Sequence, residues 1–192
     1  KDNVTALDYF NSSKILLNRH DPFLEKLIMS LVLENKVSQA INIIKINKNK
    51  LNSNFFEAYI LLIMDSLKKN NLDQATQILS EIPQFLQKDR FNYIILKSLK
   101  QYLYVFKEKK IMNSEENFGN FTLINETFQR CHLSDKNTNS YFSNLINNSK
   151  ADYSRYIYFY LTYLIENNNF EEAETITNEI DYIGSTLLIS QG

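Results

Sequence analysis

With 192 residues, 44% of them apolar, and a formal charge of -1, the chain is long enough to bury a core but has no excess positive charge to attract bulk nucleic acid or an anionic membrane. Its single cysteine, Cys131, excludes an internal disulfide framework and leaves the compartment open. Three glycines and two prolines give little to interrupt helices, and apolar residues recur three and four positions apart, which favours helices over strands throughout.

In chain order, a first helix is predicted over about residues 3–17. Asp21-Pro22 then opens a second, proline being tolerated in a first helical turn. Glu34-Asn35-Lys36 turns the chain, asparagine being the commonest non-glycine residue at a left-handed helix end, and a partner helix runs from Val37 to about Asn49. Ser53 or Asn54 caps the next helix, which Asn70-Asn71 turns into Leu72–Glu81. Pro83 breaks the pattern. A long helix over about 89–110 follows, with its partner expected after Lys110. From 111 to 148 the periodicity weakens: Asn113-Ser114-Glu115 reads as a cap, Phe121–Cys131 as a helix, Ser134–Asn139 as a polar loop and Tyr141–Ile146 as a short helix. Order returns with a helix over about 151–166, the turn Asn167-Asn168-Asn169 and a helix from Phe170 to Tyr182, ended by Gly184. The apolar run from Tyr156 to Ile165 is about half the roughly 18–20 residues that cross a bilayer, so it is expected as a buried helix. The chain starts at Lys1 and stops after Ser190-Gln191-Gly192, and reads as one domain that is an excerpt of a longer chain.

Ala6, Ala40 and Ala75 stand 34 and 35 residues apart in a chain with only six alanines, and Ala173 follows Asn-Asn-Asn-Phe-Glu-Glu much as Ala75 follows Asn-Asn-Leu-Asp-Gln. Such a period marks stacked two-helix units in which a small residue lets helices cross closely. These hairpins, over 21–49, 53–82 and 151–183, resemble tetratricopeptide repeats. Counted from Ala40, the core positions of that family fall on Leu24, Leu27, Ile28, Leu31 and Ile44; from Ala75, on Tyr59, Leu62, Ile63 and Leu79; from Ala173, on Ile157, Tyr160, Leu161 and Leu164. The chain departs from the family where Ile28, Ile63 and Leu161 replace a small residue and where Asn47, Ile82 and Ile180 replace an alanine, so the repeats are degenerate. Ala75 to Ala173 spans 98 residues, four short of three units, which assigns irregular or shortened repeats to the middle.

The resemblance implies an all-α fold, an α-α superhelix forming a right-handed solenoid, and a non-catalytic scaffold that binds a protein or peptide segment on its inner face. Groove positions in that family come from the first helices and fall here on Glu25, Met29 and Val32, then Ile60, Met64 and Leu67. Families that clasp a partner's terminal carboxylate carry Lys, Asn and Arg at these positions, and this chain does not.

Catalytic material is sparse. His20 and His132 are the only histidines, and Cys131-His132 are neighbours that a helix points about 100° apart. Neither zinc-ligand spacing nor a calcium loop is present, and three glycines build no phosphate loop, so no metal or cofactor is expected. Glu115-Glu116 and Glu171-Glu172 sit at helix starts, where negative charge complements the helix dipole. Sequons such as Asn120-Phe121-Thr122 and Asn125-Glu126-Thr127 are expected by chance in a chain where asparagine is as common as leucine. The alternative reading is an RNA-binding helical repeat that uses Lys45, Lys48 and Lys50, or Lys107, Lys109 and Lys110 beside Tyr102, Tyr104 and Phe106. Lysines near helix C-termini and aromatics at core spacing argue against it.

Overall fold

A computed structural model describes residues 3–13, 21–47, 55–147 and 156–179. Among them the protein is all-α, with no strand. The helices are α1 (Asn3–Ser12), α2 (Asp21–Leu33), α3 (Val37–Ile46), α4 (Phe56–Lys68), α5 (Leu72–Glu81), α6 (Arg90–Glu108), α7 (Asn120–His132), α8 (Thr138–Ile146), α9 (Ile157–Glu166) and α10 (Phe170–Glu179), with a 3-10 turn at Gln84–Lys88. The expected caps at Ser53 and Asn54, the helix end at Gly184 and residues 151–155 of the expected ninth helix lie outside the described residues.

One backbone device makes every hairpin. Asn35, Asn70, Ser134 and Asn168 take left-handed φ values of 58, 55, 51 and 58°. At each, the next N–H reaches back to a carbonyl five residues earlier: Lys36 to Leu31, Asn71 to Ser66, Asp135 to Arg130 and Asn169 to Leu164. The left-handed residue itself donates three residues back, to Val32, Leu67, Cys131 and Ile165. This pair of bonds satisfies carbonyls that a helix end leaves open and reverses the chain within two residues. Asparagine suits three of the four because its short polar side chain tolerates the left-handed region.

The chain divides into two compact units between Leu103 and Tyr104. In the first, α1 packs on α2, α2 on α3, α3 on α4 and α4 on α5. Leu24, Leu27, Ile28, Leu31 and Ile44 are buried together with Leu62 and Ile63, so the positions that carry the repeat resemblance are core. Ala40 and Ala75 are fully enclosed. At such sites an added methylene overpacks, at a cost of about 1–3 kcal/mol. The second turn is reinforced where Asn71 Oδ1 accepts from the Gln74 N–H at 3.0 Å, capping α5. Ile82 then becomes extended ahead of Pro83, which ends α5 as expected.

In the second unit α7 packs on α8, α8 on α9 and α9 on α10. The stretch expected to be a polar loop, Ser134–Asn139, is instead a tight turn, and α8 begins at Thr138. Thr138 is fully buried, although it follows Ser134 by four residues where Ala40, Ala75 and Ala173 follow their asparagines by five. Its hydroxyl donates to the Asp135 carbonyl at 2.7 Å, which removes the cost of burying it. Phe142 stacks on Tyr160 at 4.8 Å, and the Phe128 ring meets Phe142 edge-on at 5.8 Å.

Two expectations for the middle fail. No helix starts directly after Lys110: α6 ends at Glu108, Lys109 follows it with φ 54°, and residues 110–118 are non-helical. Asn113-Ser114-Glu115 caps nothing, because α7 begins only at Asn120 behind Gly119. Gly119 has φ 63 and ψ -124°, a conformation that side chains resist, so the glycine fixes where α7 starts. The segment is held to α7 by Gln129, whose Oε1 accepts from the Met112 N–H at 2.9 Å.

Candidate functional site

Counting back from each left-handed residue gives one register for all first helices. Glu25, Met29 and Val32 stand ten, six and three residues before Asn35; Ile60, Met64 and Leu67 stand at the same distances before Asn70. Residues spaced i, i+4 and i+7 share one face of a helix. Val32, Ile60 and Leu67 are half-buried and lean against the core of the first unit, and Glu25 is half-buried as well. Met29 and Met64 differ: 37 and 44% of their surface is open. Each of the two hairpins therefore presents one unbranched, polarizable side chain beside partly covered apolar neighbours.

The same count before Asn168 gives Tyr158, Thr162 and Ile165 on α9, which the sequence reading did not single out. Tyr158 and Ile165 are 43 and 54% exposed, and Phe159 beside them is exposed too. The expected buried helix is thus buried on one side only, through Ile157, Tyr160 and Leu164. The spacing ten, six and three before an asparagine turn was the available signal. On α7 the register falls on Ile124, Phe128 and Cys131, all half-buried.

Other candidate residues have structural partners. Cys131 packs with Phe128 in the second core, where burial first and then the charge of Glu166 push its thiol above the ordinary range, away from the reactive thiolate. His132 instead sets its ring edge-on against Phe106 at 4.9 Å, so thiol and imidazole turn to different neighbours. Lys45 Nζ donates to Asp65 Oδ2 at 2.6 Å. Lys48 and Lys50 lie outside the described residues. Lys109 is the left-handed residue that follows α6, and Phe106 is engaged with His132. Asn125 is buried on α7, which removes its side chain from solvent.

Glu172 occupies the first turn of α10, as expected from the sequence, and is further used there. Its Oε2 accepts from Asn169 Nδ2 at 2.7 Å and Asn139 Nδ2 at 2.9 Å, and its Oε1 from the Tyr160 hydroxyl at 2.5 Å. Tyr160 is almost wholly enclosed, and burial together with the bond to Glu172 raises its hydroxyl well above the ordinary phenol range. The proton stays on Tyr160. Among the described residues no group of three or more His, Cys, Asp and Glu side chains is placed to hold a metal ion, and no helix is long and apolar enough to cross a membrane.

No protein-family model matches this chain, and comparison with curated proteins and with solved structures gives no match.

Proposed function

We propose that this protein is a non-catalytic interaction scaffold, an α-α superhelix built as a right-handed solenoid of tetratricopeptide-like hairpins, whose first helices hold a protein or peptide segment. The observation that carries the reading is the exposure of Met29 and Met64 at one register position of successive hairpins. Four identical turns at 35, 70, 134 and 168, separated by 35, 64 and 34 residues, support the repeat architecture on which it rests. A face of Met, Val, Ile and Leu supplies affinity by desolvation, and methionine adapts its three torsions to a partner's shape. Glu25 is the one ionisable group among the six, which sets this face apart from sites that grip a terminal carboxylate with Lys and Arg.

The test uses the full chain with Met29→Glu and Met64→Glu together, as bait in native lysate beside the parent protein. Circular dichroism and the thermal midpoint confirm that the variant folds, as expected for side chains already open to water. Loss of at least about tenfold in recovery of the bound proteins is expected if the methionines are central to the contact. Unchanged recovery removes the groove, and recovery abolished by ribonuclease alone assigns the partner to RNA.

A further inference from the structure

We infer that the second unit binds a primary ammonium group, of the kind a lysine side chain presents, in the cleft between α8, α9 and α10. The cleft encloses about 320 Å³. Its acidic wall is Glu172, with Ser143 and Asn147 on the α8 side, Thr175 on α10, and Ile146 and Ile176 as apolar walls.

The three donors to Glu172 are two amides and a phenol, all neutral. Among the described residues no lysine, arginine or histidine forms an ion pair with it. The start of α10 contributes about half a positive charge at most, so among the described residues nothing fully offsets the negative charge at the edge of the cleft. A carboxylate offers about four acceptor positions. Among the described residues Oε2 takes two donors and Oε1 one, which leaves a single position on Oε1. A guanidinium fork needs both oxygens to bind in two-pronged fashion, whereas an ammonium is a compact charge that needs one. The geometry therefore selects lysine over arginine. The remaining ammonium protons find the Thr175 and Ser143 hydroxyl oxygens; Thr175 already donates its own proton to the Glu171 carbonyl at 2.9 Å and Ser143 is hydrogen-bonded to the Tyr160 hydroxyl, which leaves their lone pairs to accept. Ile146 and Ile176, half-buried against the second core, give the four-carbon stem an apolar lining. This site is separate from the first-helix face and does not depend on that reading.

The test is titration of the isotope-labelled full chain, at low salt, with the Nα-acetyl N-methylamides of lysine, arginine and norleucine. The readout is the side-chain amide resonances of Asn139 and Asn169. Saturable shifts with the lysine compound are expected, at least about fivefold weaker binding with arginine, and no saturation with norleucine. Glu172→Gln should abolish the lysine response. Thr175→Tyr, at an exposed position outside the hydrogen bonds to Glu172, should block the cleft if the first variant fails to fold. Absence of saturation by the lysine compound, an equal response to arginine or norleucine, or a response that survives either folded variant overturns the inference.

Discussion

Asp65 ties one hairpin to the next by accepting from Lys45 Nζ on α3 at 2.6 Å and from Lys69 Nζ, one turn along α4, at 2.8 Å. The Lys45 bond first and the Lys69 bond second hold its carboxyl below the ordinary aspartate range, against a smaller opposing effect of burial. A carboxylate depressed in the folded state stabilises the fold above its unfolded pKa, near 4, and loses that contribution as the pH falls through the folded value. The lysines stay largely solvated, so the contribution is about 0.5 kcal/mol. Asp65→Asn should lower stability by about that amount at pH 7, and the difference should shrink as the pH falls below about 4, as urea unfolding across that range would show. A loss that persists at the acid end would mean that Asp65 acts through packing instead. The sequence placed Lys45 in a basic cluster with Lys48 and Lys50, because its partner lies 20 residues away and is reached only once α3 packs on α4.

Among the elements, the hairpins at Asn35, Asn70 and Asn168 were legible because asparagine announces a left-handed turn and an alanine follows five residues later. The α7–α8 hairpin was not, although its hydrogen bonds are the same, because Ser134 has no special preference for its φ of 51° and the fifth residue after it is Asn139 rather than an alanine. Helix content followed from periodicity, and the core of the first unit from the positions that the repeat resemblance marks. Periodicity hid the outward face of α9, since the helix is apolar nearly all round, and only the count back from the turn at Asn168 points to it. The turn argument predicts opposite effects of two substitutions. Ser134→Gly should stabilise by about 0.5–1 kcal/mol, by relieving the left-handed residue, and Asn70→Val should destabilise by about 1–2 kcal/mol. Denaturant midpoints of the full-length variants check both. A destabilising Ser134→Gly would show that the serine side chain matters more than its backbone.

On the scale of the whole molecule, α6 is shared: residues through Leu103 belong to the first unit and Tyr104 onwards to the second. Helix α6 then stops at Glu108, the Lys109 N–H reaches the Val105 carbonyl at 2.9 Å, and no helix resumes before Asn120. Lys109 and Lys110 are exposed there, and the first described hydrogen bond to hold the following segment is that of the Met112 N–H to Gln129. A protease needs several residues in extended form, which an intact helix refuses and a non-helical segment adopts more readily. Dilute trypsin should therefore cut after Lys109 or Lys110 ahead of every lysine and arginine within the described helices, Lys68 and Arg130 included. Replacing Gln129 with alanine frees the Met112 N–H, which should speed that cleavage without moving it. Intact-mass analysis of early time points reads both effects. First cuts within α4 or α7 would mean that these helices open more readily than the connection between them. An unchanged rate in Gln129→Ala would mean that the Met112 bond does not restrain the segment.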